Sequence, residues 1–178
     1  MRLSRHDPLT GELNRTYLIA GLAESIEEAA RSRSSCAFML IGVDHLSRIN
    51  DAFGFDVADA VIGEIGKRIR VRLRAGDVLG RFSGNKFGLI LRNCTVDDIN
   101  VAAERFLAGI RDEVVPTKSG PVSVTASIGA ISIPRYARSA GEAVNRAQET
   151  LDAAKRRRAG SFSLWRPNVE RDAQRRVN

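Results

Sequence analysis

The sequence predicts an α/β fold of mixed type, a sheet with helices packed on it. Three observations carry that prediction. Residues 36–43, CAFMLIGV, are a compact apolar run of strand length, the profile of a central strand buried on both faces. Amphipathic helical periodicity alternates with strand-like runs along the rest of the chain. The segments VLGRF and KFGLILR flank a tight turn, Ser83-Gly84-Asn85-Lys86, so two strands form a hairpin and the sheet must be mixed.

Each element has its own signal. Thr10-Gly11 turns into a helix over 12–33, with Leu18, Leu22 and Ile26 at helical spacing. After the central strand, Asp44 is expected to cap a short helical stretch, HLSRINDAF. From Asp56 to Arg74, the positions Val57, Val61, Ile62, Ile65, Ile69 and Leu73 mark a long amphipathic helix. Arg74-Ala75-Gly76-Asp77 breaks it, and the hairpin follows. A helix over 96–111 starts after Thr95 and carries Asp97 and Asp98 in its first turn, where the helix dipole favours anions. Residues 116–121 read as a loop and 122–133, VSVTASIGAISI, as one long strand. A last helix spans 139–158 and SFSLW forms a last short strand. Nothing repeats and nothing is of low complexity.

At 178 residues the chain has room for one domain with a proper core and a short appended segment. Its 43% hydrophobic and 28% charged content is ordinary for a globular protein. No apolar run approaches the roughly 18–20 residues that span a bilayer, and MRLSRHDPLTG lacks the apolar stretch of a signal peptide. The expectation is a cytoplasmic chain without membrane contact, or the cytoplasmic part of a larger, membrane-anchored protein. The net charge of +7 is concentrated. From Lys155 onward eight basic residues face only Glu170 and Asp172, so this end carries +6 of it. A domain-wide nucleic-acid surface is therefore not expected. Cys36 and Cys94 lie at the edges of apolar runs without CxxC spacing and read as buried reduced thiols. His6 and His45 form no recognisable ligand pair.

Polar residues gather in three places: the end of the apolar strand at Gly42-Val43-Asp44 with Asn50, Asp51, Asp56 and Asp59, the hairpin tip, and the Arg74…Asp77 pair. In register they resemble the GGDEF family, the diguanylate cyclases that condense two GTP molecules into cyclic di-GMP. DPLTGELNR (7–15) is similar to that family's D-x-L-T-G-L-x-N-R. IGVDHLSRINDAFGFDVAD (41–59) is similar to its D-x-D-x-F-K-x-I-N-D-x-x-G-H-x-x-G-D. RAGDVLGRFSGNKFGLIL resembles R-x-x-D-x-x-x-R-[YF]-G-G-[DE]-E-F and the strand beyond, TASIG (125–129) matches T-x-S-I-G, and AQETLDAAK (147–155) resembles A-D-x-A-L-Y-x-A-K. The likeness runs from residue 7 to about 165. It implies a palm-like fold of the adenylate-cyclase type, with a mixed, mainly antiparallel five-stranded sheet surrounded by helices.

The resemblance also implies where chemistry would sit, and there the sequence departs. Family members use divalent metal ions held by the first Asp of D-x-D and the third position of GGDEF; hard cations need such anionic oxygen ligands. Here those positions are Gly42 and Asn85, and the fourth GGDEF position is Lys86. An ammonium roughly 5 Å from a dication is repelled by several kcal/mol even at an effective dielectric near 20. Asp44, the second Asp of D-x-D, is left as a weak metal candidate. No catalytic residue is therefore expected, and no cofactor beyond Mg²⁺ accompanying any GTP that binds.

Other positions persist. Asn50 and Asp59 match residues that hydrogen-bond guanine in the family, or else are a helix-capping amide and a solvated carboxylate. Lys155 matches its phosphate-binding lysine, although the arginine expected four residues later is Ala159. The run Arg156-Arg157-Arg158 either substitutes for it or is a solvated helix end. Arg74 and Asp77 keep the R-x-x-D pattern of the family's inhibitory cyclic di-GMP site, or else stabilise the loop. The expected division is a GGDEF-like domain over 1–166 and the start of a charged linker helix over 167–178, leading to a further domain such as an EAL phosphodiesterase. The expected function is a catalytically inactive regulatory module of cyclic di-GMP signalling that binds GTP or cyclic di-GMP and modulates its neighbour. The alternatives are residual cyclase activity and a structural, homodimerising domain.

Overall fold

The computed structural model describes residues 4–167. The sheet is built outward from β1 (Cys36–Val43), all eight of whose residues are buried. Such a strand needs partners on both edges. It finds β3 (Lys86–Arg92) on one side and β6 (Ala126–Ile133) on the other, both antiparallel. β2 (Val78–Ser83) pairs antiparallel with β3 through the hairpin, with a register shift between Arg81 and Ser83. β7 (Phe162–Leu164) adds in parallel to β6. The order β2-β3-β1-β6-β7 is the mixed, mainly antiparallel five-stranded sheet that the resemblance implied.

Helices cover both faces, following the alternation of side chains along each strand. On one face lie α2 (Leu46–Phe53), α3 (Phe55–Arg70) and α4 (Val96–Arg111), whose Ile49, Val57, Val61, Ile65, Ile99 and Phe106 share a core with Met39, Ile41, Phe87 and Leu89. On the other lie α1 (Arg15–Ser32) and α5 (Ala140–Arg157), whose Leu18, Leu22, Ala147 and Leu151 pack with Phe38, Leu40, Ile90 and Ile131. Among the described residues no helix is long and apolar enough to cross a membrane.

Four expectations are corrected. The first helix begins at Arg15, because Asn14 caps it by accepting from Tyr17 N–H. α2 is not capped by Asp44: its N-cap is His45, in a left-handed conformation (φ 57°) without a side-chain cap. The long helix ends at Arg70, leaving Leu73 in the turn. The stretch 122–133 is not one strand. Residues 115–117 (β4) and 120–122 (β5) pair as a separate two-stranded ribbon, so the supposed loop over 116–121 is mostly hairpin. β6 starts only at Ala126. The linker helix expected over 167–178 lies, from residue 168 on, outside the described residues.

One glycine sets how close α5 comes to the sheet. A Cβ on Gly129 would stand 2.3 Å from the Leu151 nitrogen and 2.6 Å from the Ala147 carbonyl oxygen. These are backbone atoms, which no rotamer change can move aside. Gly129→Ala is expected to destabilise the fold by about 3 kcal/mol, the upper end for overpacking, measurable by urea denaturation; a loss below about 0.5 kcal/mol would refute the contact. Both cysteines are buried, and burial pushes their thiols up to about 11. At pH 8 only about one such thiol in a thousand is ionised, against roughly a quarter of free ones. Iodoacetamide is expected to leave the folded chain unmodified over the time that it alkylates both thiols of the urea-unfolded chain, as read by intact mass.

Candidate functional site

Where β1 ends, the chain must turn away from the sheet, and the residues at that turn carry the charge. Asp44 is 5% exposed. A buried carboxylate needs donors on its oxygens, and it has three. Ser127 Oγ donates to Oδ1 at 2.8 Å, while Thr125 Oγ1 and the Gly160 N–H donate to Oδ2 at 2.7 and 2.8 Å. The start of β6 and the loop after α5 are thus fastened to the end of β1 by one side chain. Asp44 is thereby a structural anchor, with both oxygens engaged.

The hairpin tip is fastened separately. Asp7 accepts from the Thr10 N–H and hydroxyl at 2.9 and 2.8 Å, and from Arg81 at 3.3 Å. Arg81 in turn donates to the Gly84 carbonyl at 3.1 Å, and the Val43 N–H donates to the Asn85 carbonyl at 2.9 Å. The opening D-x-L-T-G turn therefore holds the tip against the end of β1. Sequence reading missed this use of Asp7 and Arg81; their motif positions were the available signal.

Between the tip, the end of β1 and helices α2, α3 and α5 opens a cleft of about 620 Å³. Asn50, Asp59, Asn85 and Lys155 all line it, so four of the positions singled out in the sequence converge. Phe55, 76% exposed, stands at its rim. The Asn50 side-chain oxygen is buried and has no hydrogen-bond partner among the described residues. A buried acceptor without a donor is costly, and one lining a cleft is placed for a ligand donor. Asp51 and Asp56 are not part of the lining; Asp56 is paired with Lys118 at 2.9 Å, which holds its carboxyl below the usual range.

Arg74 and Asp77 lie elsewhere, at the end of β2 and β3 remote from the tip. The Asp77 side chain is 1% exposed and accepts from Arg74 N–H at 3.0 Å and from its guanidinium at 3.3 Å. Arg74 also donates to the Arg92 carbonyl at 2.9 Å. As they stand, the two residues hold each other and the loop.

The fit of a divalent cation to the cleft can be tested at Gly42. A Cβ built there would lie 2.9 Å from the Lys155 ammonium nitrogen and 3.0 Å from its Cε. The space that an acidic side chain at this position would enter is filled by a cation. Directly across the ladder from Gly42 stands Lys86. Burial pushes the Lys155 ammonium below the ordinary lysine range; Lys86 adds to that shift, while Asp44 and Asp152 oppose it. Among the described residues no group of three or more His, Cys, Asp or Glu could hold a metal ion. The residues present do not fit a divalent cation.

A mainly antiparallel five-stranded sheet with a cleft between its hairpin tip and the helix after its central strand defines the class, a mixed α+β domain with a ligand-sized cleft at the end of its central strand. The comparisons give the family: residues 4–161 match the diguanylate cyclase GGDEF domain, and the chain belongs to the GGDEF family. It is 34% identical over 151 residues to diguanylate cyclase DgcP of Pseudomonas aeruginosa, covering 84% of this chain and 22% of that protein. It is 30% identical over 155 residues to the cyclic di-GMP phosphodiesterase NbdA of the same species, covering 86% of this chain and 20% of NbdA. The GGDEF domain of TpbB from Pseudomonas aeruginosa superposes with a TM-score of 0.89 at 29% identity, covering 95% of this chain and 99% of that one. The chain thus spans about a fifth of the length of DgcP and NbdA.

Removing the Asp44 anchor is expected to lower the stability of the fold. Asp44→Ala leaves the Thr125 and Ser127 hydroxyls without their acceptor and the Gly160 N–H with only Ser127 Oγ at 3.1 Å, and is expected to cost about 3 kcal/mol of stability. Asp44→Asn, which keeps one acceptor oxygen, should cost roughly half of that. Urea denaturation of both variants checks the order; equal stability of wild type and Asp44→Ala would refute the anchoring role.

Proposed function

We propose that this GGDEF domain is catalytically inactive and serves as a guanine-nucleotide-responsive regulatory module in cyclic di-GMP signalling. The observation that carries the reading is the division of the cleft. Its helical wall keeps Asn50, with an unpartnered buried oxygen, and Asp59, two groups suited to the donor edge of guanine. Its sheet side presents Asn85, with Gly42 and Lys86 paired just behind it on the ladder, and Gly42 and Asn85 stand where the resemblance implies metal-binding acids. Guanine is held by Asn50 and Asp59, with the phosphates toward Lys155, and the reading requires no cofactor. The module acts on a covalently adjacent domain, for which an EAL-type phosphodiesterase is the candidate. The likeness to NbdA, a cyclic di-GMP phosphodiesterase, supports that neighbour.

Cyclic di-GMP is the second ligand of the reading, at Arg74 and Asp77. The exposed part of the Arg74 guanidinium favours it, and binding requires the Arg74–Asp77 pair to open. Incubation with GTP and Mg²⁺ or Mn²⁺, followed by chromatography, is expected to yield no cyclic di-GMP, while calorimetry registers nucleotide binding. Formation of cyclic di-GMP would overturn inactivity. Absence of binding by both GTP and cyclic di-GMP would overturn nucleotide sensing in favour of a dimerising structural domain.

A further inference from the structure

Several arginines packed on the sheet or lying along the helices are answered by carboxylates. Arg68 pairs with Glu64, Arg70 with Glu12, Arg74 with Asp77, Arg81 with Asp7 and Arg146 with Glu142. Two lysines differ: Lys155, which lines the cleft, and Lys86, which follows Asn85 of the lining and stands across the ladder from Gly42. Both are partly buried, they repel one another, and neither forms an ion pair with a described residue.

Their placement follows from the fold. Gly129 lets α5 lie against β6, which carries Leu151 and then Lys155 over Gly42. Gly42 has no side chain to push the ammonium away, and the ladder puts Lys86 beside it on the same face. Two like charges brought together at partial burial are unfavourable in the free protein and favourable once an anion lies between them. A polyphosphate ordinarily reaches a protein with its charge reduced by a dication. Here two ammonium groups already supply a charge of about +2, and they repel a second source of it.

We infer that this cleft takes its guanine nucleotide as the free polyphosphate anion, without a divalent cation, Lys155 and Lys86 binding the phosphate chain directly. The inference rests on the nucleotide-binding reading above and specifies the ionic form of its ligand. It makes the domain a nucleotide sensor that needs no magnesium and whose occupancy excess magnesium lowers by complexing the free anion.

Calorimetric titration of the chain with GTP and with guanosine, each in EDTA and in excess Mg²⁺, tests it. GTP is expected to bind in EDTA at least as tightly as in Mg²⁺, and guanosine about tenfold or more weakly than GTP in EDTA. Lys86→Gln is expected to weaken GTP in EDTA by about tenfold, to leave guanosine unchanged and to be rescued by Lys86→Arg. Circular dichroism verifies that both variants fold. GTP binding that appears only with Mg²⁺ would overturn the inference and leave the nucleotide reading standing. Equal affinities for guanosine and GTP in EDTA would likewise overturn it, leaving base recognition intact. No binding of either ligand in any condition would overturn both.

Discussion

The carboxylate of Asp44 is the interaction on which the site depends. It is buried at the point where the central strand leaves the sheet, and it survives there because a serine, a threonine and a backbone N–H donate to it. Those donors come from β6 and from the loop that ends α5, so one side chain fixes three segments relative to one another. The floor of the cleft, the position of Lys155 and the parallel docking of β7 all follow from that fixation. A buried charge with complete hydrogen bonding is rigid for the same reason that it is costly to disturb.

Close packing carries the arrangement from the sheet into the cleft. The absence of a Cβ at Gly129 sets the depth of α5, and the absence of one at Gly42 receives what α5 delivers. On the opposite wall, α2 and α3 meet at Gly54, whose φ of 89° turns the chain sharply enough to bring Asn50 and Asp59 to the same opening. The two ends of the cleft, Asn50 with Asp59 and Lys155, are thus built on different faces of the sheet.

How much of this could be read in the sequence depends on range. β1 was legible because all eight residues are buried, so burial and apolar character coincide without interruption. The hairpin and α4 were legible because turns and caps are local; at α4 the side chains of Thr95 and Asp98 complete a capping box. Asp44 was misread as a helix cap, a local role, because its actual partners lie 81, 83 and 116 positions away. The split of 122–133 was hidden for a related reason. Alternation continues through Val122 and Val124, but Val122 pairs with Val115 in a separate ribbon, and register between distant strands leaves no local mark. At the cleft, motif positions located Asn50, Asp59, Asn85 and Lys155. They did not locate the ammonium over Gly42, which is a consequence of packing depth.

That ammonium explains why the changes at 42, 85 and 86 belong together. Acidic side chains with a dication, and lysines without one, are two self-consistent ways to hold a polyphosphate. Mixtures of them are not. A carboxylate introduced at 42 alone would meet Lys155 before it met any metal ion, and the two would neutralise each other as an ion pair. A carboxylate at 86 alone would remove one of the two neighbouring ammonium groups while leaving position 42 without a side-chain ligand. The glycine, the amide and the lysine are therefore one electrostatic state of the site, held in place by the packing of α5 and the anchor beneath it.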